Sequence, residues 1–467
     1  MSRCNPDRVQ RQVQSQLRQF AQTPGLPFAD LLSAEQVQEA VEQEGHAFRD
    51  RLYSPWVTLW VFLSQVLDAT QCCRQAVARL LAYRVGRGLP ACSPDSGGYC
   101  KARGRLPEAV LAQLTRVEGR KPLDEAPKEW LWKGRRVKLA DGSTVSMPDT
   151  PANQKEYPQA PTQQRGLGFP IARLVVVFSL AVGTVLDAAL GRYQGKQTGE
   201  PALFRQLHDT LEPNDVVLAD CCYCSYFEMA LLQERGIDGV LRQHQRRRTD
   251  FRRGQRLGQR DHVVAWDKPQ KQPDWMDAET YARIPQQLRV REVEVLVRQK
   301  GFRTQRYVVV TTLLDSENVT APDLALLYRC RWQAELNLRS LKVTLQMDVL
   351  RCESPAMVRK EVWAHLLLYN LIRQMMAEAA RQEGVRPWEI SFAGALQTVR
   401  AFLPELRPAR GPRRQQLIQE MLRAIAFHEI GDRPDRYEPR QIKRRPKSYP
   451  LMTEPRPEAR SRLTAKT

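Results

Sequence analysis

Across residues 34–87 the apolar positions recur at helical spacing, with Val57, Leu59, Trp60, Leu63, Val66 and Leu67 followed by Val77, Leu80 and Leu81. Almost no strand-like alternation interrupts them, so a helical N-terminal region is predicted. A turn-rich break at 92–98 precedes a further helical pattern over 107–117. The pattern then changes. β-branched and apolar runs at 137–141, 171–182 and 185–193 predict three successive strands. A helix-like stretch (201–211), a buried-strand run (215–220), a helix (227–235) and a short strand (239–241) complete an α/β order. Residues 242–318 interrupt it with an arginine-dense loop, two tryptophan-containing polar segments and strands at 290–297 and 307–314, a mostly β insertion. Thr320, Pro322 and Asp323 then mark a capped helix start, and the pattern carries this helix to about Gln346. Helical patterns continue over 357–382 and 413–428, before a Pro- and Arg-rich tail from Gly431. The expected units are 1–125, 126–241, 242–318, 319–350, 351–430 and 431–467.

Charge narrows the partners. In 467 residues, 72 Lys and Arg stand against 52 Asp and Glu, a net charge of +20, while 42% of residues are hydrophobic. The chain is too apolar for a charged disordered tail, and its excess charge points to a polyanion, nucleic acid before an anionic membrane. The first nineteen residues carry no apolar signal segment, and no stretch approaches 18 uninterrupted apolar residues, so a cytoplasmic protein without a membrane partner is expected. The ten scattered cysteines then read as reduced thiols. Two basic segments are candidates for phosphate contact. Lys101 and Arg103, with Tyr99 and Arg105, stand at the entry of the 107–117 helix; otherwise they are simply solvated. Residues 242–260, including Arg246, Arg247 and Arg248, hold eight arginines against one aspartate, which reads as a DNA-tracking loop or as a disordered solvated one.

On the capped helix, 100° per residue gathers Tyr328, Arg331, Glu335 and Lys342 into an arc of about 60°. Leu324, Leu327, Trp332, Leu336, Leu338 and Val343 flank this stripe as residues that favour burial; the alternative is a solvated face with local ion pairs. Asp141 closes the run Val-Lys-Leu-Ala, and Asp220 closes Val-Val-Leu-Ala, at the strand ends where α/β sheets place chemistry. Either aspartate alone also suits a turn cap. With Glu335 they make three carboxylates of the kind that hold a pair of Mg²⁺ ions about 4 Å apart for phosphodiester chemistry. Cys221 and Cys224 have redox or half-zinc spacing, but no second Cys or His pair lies near them, and buried thiols are expected.

These residues resemble the DDE transposases of bacterial insertion sequences, specifically insertion-sequence family four. Tyr328, Arg331, Glu335 and Lys342 match its Tyr-x₂-Arg-x₃-Glu-x₆-Lys signature without a gap. Asp141-Gly-Ser-Thr144 resembles the first-aspartate motif and Asp220-Cys-Cys-Tyr223 the second, with Cys222 standing where a small Gly or Ala is usual. The resemblance implies an RNase H-like catalytic core interrupted by a β-rich insertion and flanked by helical regions. It implies that Asp141, Asp220 and Glu335 bind two Mg²⁺ ions, with Mn²⁺ as a substitute, and that Tyr328, Arg331 and Lys342 hold the phosphates of the element's ends. Tyr307 stands where hairpin-forming members keep a tryptophan that stacks on a flipped base. Trp266 and Trp275 are further stacking candidates, with packing the alternative. The implied activity is cut-and-paste transposition of double-stranded DNA by a homodimer assembled on the element's ends, with the N-terminal helices reading the end sequence. Two rivals remain: a DNA-binding architectural protein without catalysis, and a structure-selective nuclease of the same core fold.

Overall fold

Strands buried on both faces need apolar residues at every position, and the middle of this chain supplies them. The computed structural model describes residues 28, 31–45, 48, 52–297, 305–430 and 452–464. Among the described residues five helices come first: α1 (Ala34–Gln43), α2 (Pro55–Leu67), α3 (Cys73–Gly86), α4 (Gly97–Arg105) and α5 (Glu108–Asp124). Ser33 closes a capping box on α1, and Ser54 caps α2 just before Pro55. Every residue of α2 from Trp56 to Leu67 is buried, as its apolar circumference requires.

The central region is β1 (Val137–Ser146), α6 (Pro151–Glu156), β2 (Ile171–Ser179), β3 (Val185–Arg192), α7 (Glu200–Arg205), β4 (Val216–Ala219), α8 (Tyr226–Glu234) and β5 (Asp238–Arg242). Next come β6 (Gln255–Gly258), β7 (Asp261–Asp267), α9 (Ala278–Arg283), β8 (Gln287–Val297) and β9 (Gln305–Thr311). The nine strands among the described residues join one sheet in the order β3-β2-β1-β4-β5-β9-β8-β7-β6. β1, β4 and β5 run parallel, and the other pairings are antiparallel. The strands within 242–318 therefore extend the central sheet through the β5–β9 pairing. Trp266 lies within β7, where a polar segment was expected.

The sheet separates two apolar cores, and strict alternation sorts residues between them. Val137, Leu139, Val216 and Leu218 face one core, shared with the N- and C-terminal helices. Ala140, Val217 and Ala219 face the other, with Leu203 and Phe204 of α7 and Met229 of α8.

After the sheet come α10 (Ala321–Arg329), α11 (Trp332–Arg339), α12 (Pro355–Glu383), α13 (Phe392–Leu406), α14 (Gly411–Ala426) and α15 (Arg456–Thr464). The long α12 is buried along most of its 29 residues and packs against α2, α5, α13 and α14. Two expectations are corrected. The capped helix does not run unbroken to Gln346. It tightens at Cys330 and Arg331, whose amides donate to the carbonyls of Leu327 and Tyr328, and then widens into a π turn at Ser340–Thr344. β1 does not end at Asp141, because pairing with β2 carries it to Ser146. No described helix is long and apolar enough to cross a membrane. Of the Pro- and Arg-rich tail, residues 431–451 and 465–467 lie outside the described residues.

Candidate active site at the rim of the parallel strands

Register brings the two aspartates together. Ala140 pairs with Ala219 in the last step of the parallel β1–β4 ladder, so Asp141 and Asp220 follow on adjacent strands. Alternation continues the direction of Leu139 and Leu218, which aims both aspartates at the core face that α10 and α11 cover through Leu324, Leu327, Tyr328, Ala334 and Leu338. β4 stops while β1 continues, and this leaves an open rim beside Asp141. Asp141, Glu335 and Lys342 line one open cleft of about 370 Å³ there. Lys342 is tied to β1, its Nζ 3.1 Å from Ser143 Oγ and 3.0 Å from Asp348 Oδ1. The Ser146 amide in turn donates to the Asp348 carbonyl. The helical stripe thus converges on the acidic rim despite the tightened turn. Of its flanks, Leu324, Leu327 and Leu338 are buried, but Trp332 and Val343 are 51% and 65% exposed.

The electrostatics are those of a partly buried acidic site with cations at its edge that leave one carboxylate oxygen without a hydrogen bond. Burial raises the Asp141 carboxyl to about 6; the Gly142 amide at 2.9 Å and Arg331 oppose this, while Glu335 and Glu200 add to it. Asp220 Oδ1 is buried without a hydrogen-bond donor, and the Arg242 guanidinium stands 3.9 Å away. Arg331 Nη2 donates to Glu335 Oε1 at 2.6 Å. Among the described residues no group of three or more His, Cys, Asp or Glu already stands close enough to hold a metal ion. The donor set nevertheless suits a hard divalent cation: it is all oxygen, and one of those oxygens is buried without a hydrogen-bond donor.

Around the rim, Tyr328 is buried, its phenol pushed well up by that burial, and its ring lies 6.3 Å from that of half-buried Tyr307. The Arg242 guanidinium covers the Tyr307 ring at 4.3 Å. Arg246 and Arg248 are exposed, whereas the Arg247 guanidinium lies 3.7 Å over Trp266. Trp266 itself is buried and donates to Glu292, and Trp275 packs against Phe227 under the Arg205 guanidinium, so both serve packing. Lys101 is exposed on α4. Arg103 is not available to a phosphate: it is buried between Phe62 and Tyr99, and its Nη1 donates to Gln65 Oε1 at 3.0 Å. Cys224 is buried, Cys221 is half-buried, and Cys222 is exposed with its thiol 3.5 Å from Glu200 Oε2.

Glu200 is the rim residue that sequence reasoning missed. An acidic residue in a helix's first turn is ordinary, and no local signal set this one apart.

Residues 132–371, just over half of the chain, match the family model described as the transposase DDE domain. The chain is 26% identical over 438 residues to the transposase InsG for insertion sequence element IS4 of Escherichia coli K12, covering 91% of this chain and 94% of that relative. A shorter match of 77 residues, 32% identical and covering 16% of this chain and 21% of the relative, is to the transposase for insertion sequence element IS421 of Escherichia coli. With the aspartate pair, Glu335 and the Tyr-Arg-Glu-Lys residues gathered at one rim, the chain belongs to the DDE transposases, enzymes of DNA phosphoryl transfer.

Proposed function

We propose that Asp141, Asp220 and Glu335 are the catalytic carboxylates of a cut-and-paste transposase, set in an RNase H-like core. The observation that carries this reading is the Ala140–Ala219 register, which sets the two aspartates side by side beneath the helix that bears Glu335. These three residues would hold two Mg²⁺ ions, with Mn²⁺ as a substitute. Bound there, the ions activate the attacking oxygen and stabilise the leaving 3′ oxygen. In the first step water adds to the phosphorus at the element's end, the bond to the 3′ oxygen breaks, and a free 3′-OH remains. In the second that 3′-OH attacks a phosphodiester of the target and displaces its 3′ oxygen.

The remaining residues bind and orient the DNA. Arg331, Lys342 and Arg242 supply cations to the phosphates beside the cut, and Tyr328 packs beneath them. Tyr307, whose ring lies under Arg242, stacks on an unpaired base. Lys101, Arg246 and Arg248 offer exposed charge along the flanking duplex. Residues 1–125 read the element's end sequence, 126–241 and 319–350 form the core, 242–318 its insertion, and 351–430 help to pair two protomers on DNA. The tail, 431–467, adds positive charge. Such a protein works on the bacterial nucleoid.

The test is incubation with labelled DNA carrying the element's own genomic flanks, in Mg²⁺, Mn²⁺ or EDTA. We expect metal-dependent cuts at the element boundary, absent with Asp141→Ala, and joining of a precut end to an unrelated plasmid. Cuts without joining would indicate a nuclease. Tight binding without cuts under either metal would indicate an architectural protein.

A further inference from the structure

Glu200 makes two contacts that tie together the segments bearing both aspartates. A Cβ placed on Gly142 would lie 2.3 Å from Glu200 Cδ and 2.6 Å from its Cγ and Oε1, so the glutamate lies directly on the backbone that follows Asp141. Its other carboxyl oxygen, Oε2, stands 3.5 Å from the thiol of Cys222, two residues after Asp220. The nearest cation, Arg173 Nη1, is 3.9 Å from Oε1, too far for a hydrogen bond. The side chain is 29% exposed, so burial does not force it into this place. It reaches the rim from the sheet face opposite Glu335, because Gly142 alternates with Asp141 and α7 is anchored in that second core by Leu203 and Phe204.

We infer that Glu200 is a positioning residue of the metal site. It clasps the Asp141-Gly142 and Asp220-Cys-Cys222 segments at the separation in which both aspartates take a divalent cation, and its own charge strengthens that binding. The inference rests on the assignment of Asp141 and Asp220 as metal-holding residues. It also explains the glycine after Asp141: the carboxyl of Glu200 occupies the space that any side chain there would fill.

The test is titration of the full-length, metal-free protein with Mn²⁺, followed by calorimetry or by the loss of free-Mn²⁺ paramagnetic resonance, without DNA. Wild type should bind saturably and Asp141→Asn should not. Glu200→Gln should bind about 10-fold more weakly, the lower end of what loss of a residue supporting metal ligands does. Gly142→Ala, which pushes the Glu200 carboxyl away while keeping its charge, should weaken binding in the same direction. In end cleavage, Glu200→Gln should need about 10-fold more Mn²⁺ for half-maximal rate yet approach the wild-type rate at saturation, a split that a merely structural role would not give. Wild-type Mn²⁺ affinity in both Glu200→Gln and Gly142→Ala, with Asp141→Asn still unable to bind, would overturn the role of Glu200 alone. Absence of saturable binding by the wild-type protein would overturn the metal-site assignment beneath it as well.

Discussion

The antiparallel half of the sheet and the acidic rim of the parallel half treat buried charge in opposite ways. In the antiparallel half, Asp261 of β7 receives both Nε and Nη2 of Arg291 at 2.8 and 2.6 Å, with both residues buried. Glu292 beside it accepts from Trp266 Nε1 at 2.8 Å and stands 3.2 Å from His262 Nε2. Both of these buried carboxylates have hydrogen-bonding partners, as interior charges require. At the rim of the parallel half, Asp220 Oδ1 is buried with no donor, and Asp141 is raised to about 6 by its burial. Charge that only holds a fold together is paired by that fold. Charge left short of partners beside a cleft serves something that arrives from outside.

The largest effect should come from removing rim charge. Asp220→Asn is expected to lower end cleavage by more than about 10,000-fold, over about 5 kcal/mol of barrier, without lowering Tm. A fall in Tm would place Asp220 with the structural carboxylates and break the contrast. The next largest belongs to the paired half. Asp261→Ala leaves the guanidinium of Arg291 buried and should destabilise the fold by about 3–5 kcal/mol in denaturant titration. A loss below about 1 kcal/mol would mean that the antiparallel half does not depend on its charge pairing.

What the sequence disclosed of this contrast follows from the range of the interactions. The aspartate pair was legible because each follows a short strand-like run, Val-Lys-Leu-Ala and Val-Val-Leu-Ala, and two such runs in register need only ladder geometry to bring their ends together. Glu335 and Lys342 were legible from spacing within one helix. The break at Cys330–Arg331 was not, since neither glycine nor proline marks it and only the hydrogen bonds reveal the tighter turn. The extension of β1 past Asp141 was hidden because Gly-Ser-Thr reads as a turn, and it is β2, thirty residues on, that holds it straight. Arg103 looked like a surface cation because its shelter comes from Phe62 and Gln65, brought in from α2. Glu200 was invisible for the same reason: its partners lie about 60 residues before it and about 20 after.

Acidity separates the halves by a smaller effect. A carboxyl raised to about 6 in the folded state and near 3.8 when unfolded binds more protons folded, so its contribution to stability is present below about pH 3.8 and lost as pH rises through about 6. Asp141→Asn removes that loss. In EDTA the variant should be more stable than wild type at pH 8 by on the order of 1 kcal/mol, once partial exposure and the nearby Arg331 are allowed for, and the gain should vanish towards pH 4. Equal Tm values at both pH values would show that the rim imposes no such strain.

The smallest effects should divide the arginine run between the two roles. Arg247 lies over Trp266 and so belongs with the paired half, while Arg246 and Arg248 stand free at the surface. A cation over an indole is worth about 0.5–1 kcal/mol at a partly exposed site, so Arg247→Ala should lower stability by that amount. An exposed arginine on a phosphate contributes counterion release instead. Arg246→Ala and Arg248→Ala should each reduce the slope of log affinity for duplex DNA against log salt by about 1, weaken binding alike on all sequences, and leave Tm unchanged. A salt slope that stays at its wild-type value in the double variant would mean that this edge of the sheet does not lie along the DNA, and the polyanion contact would then have to come from Lys101 and the other exposed cations.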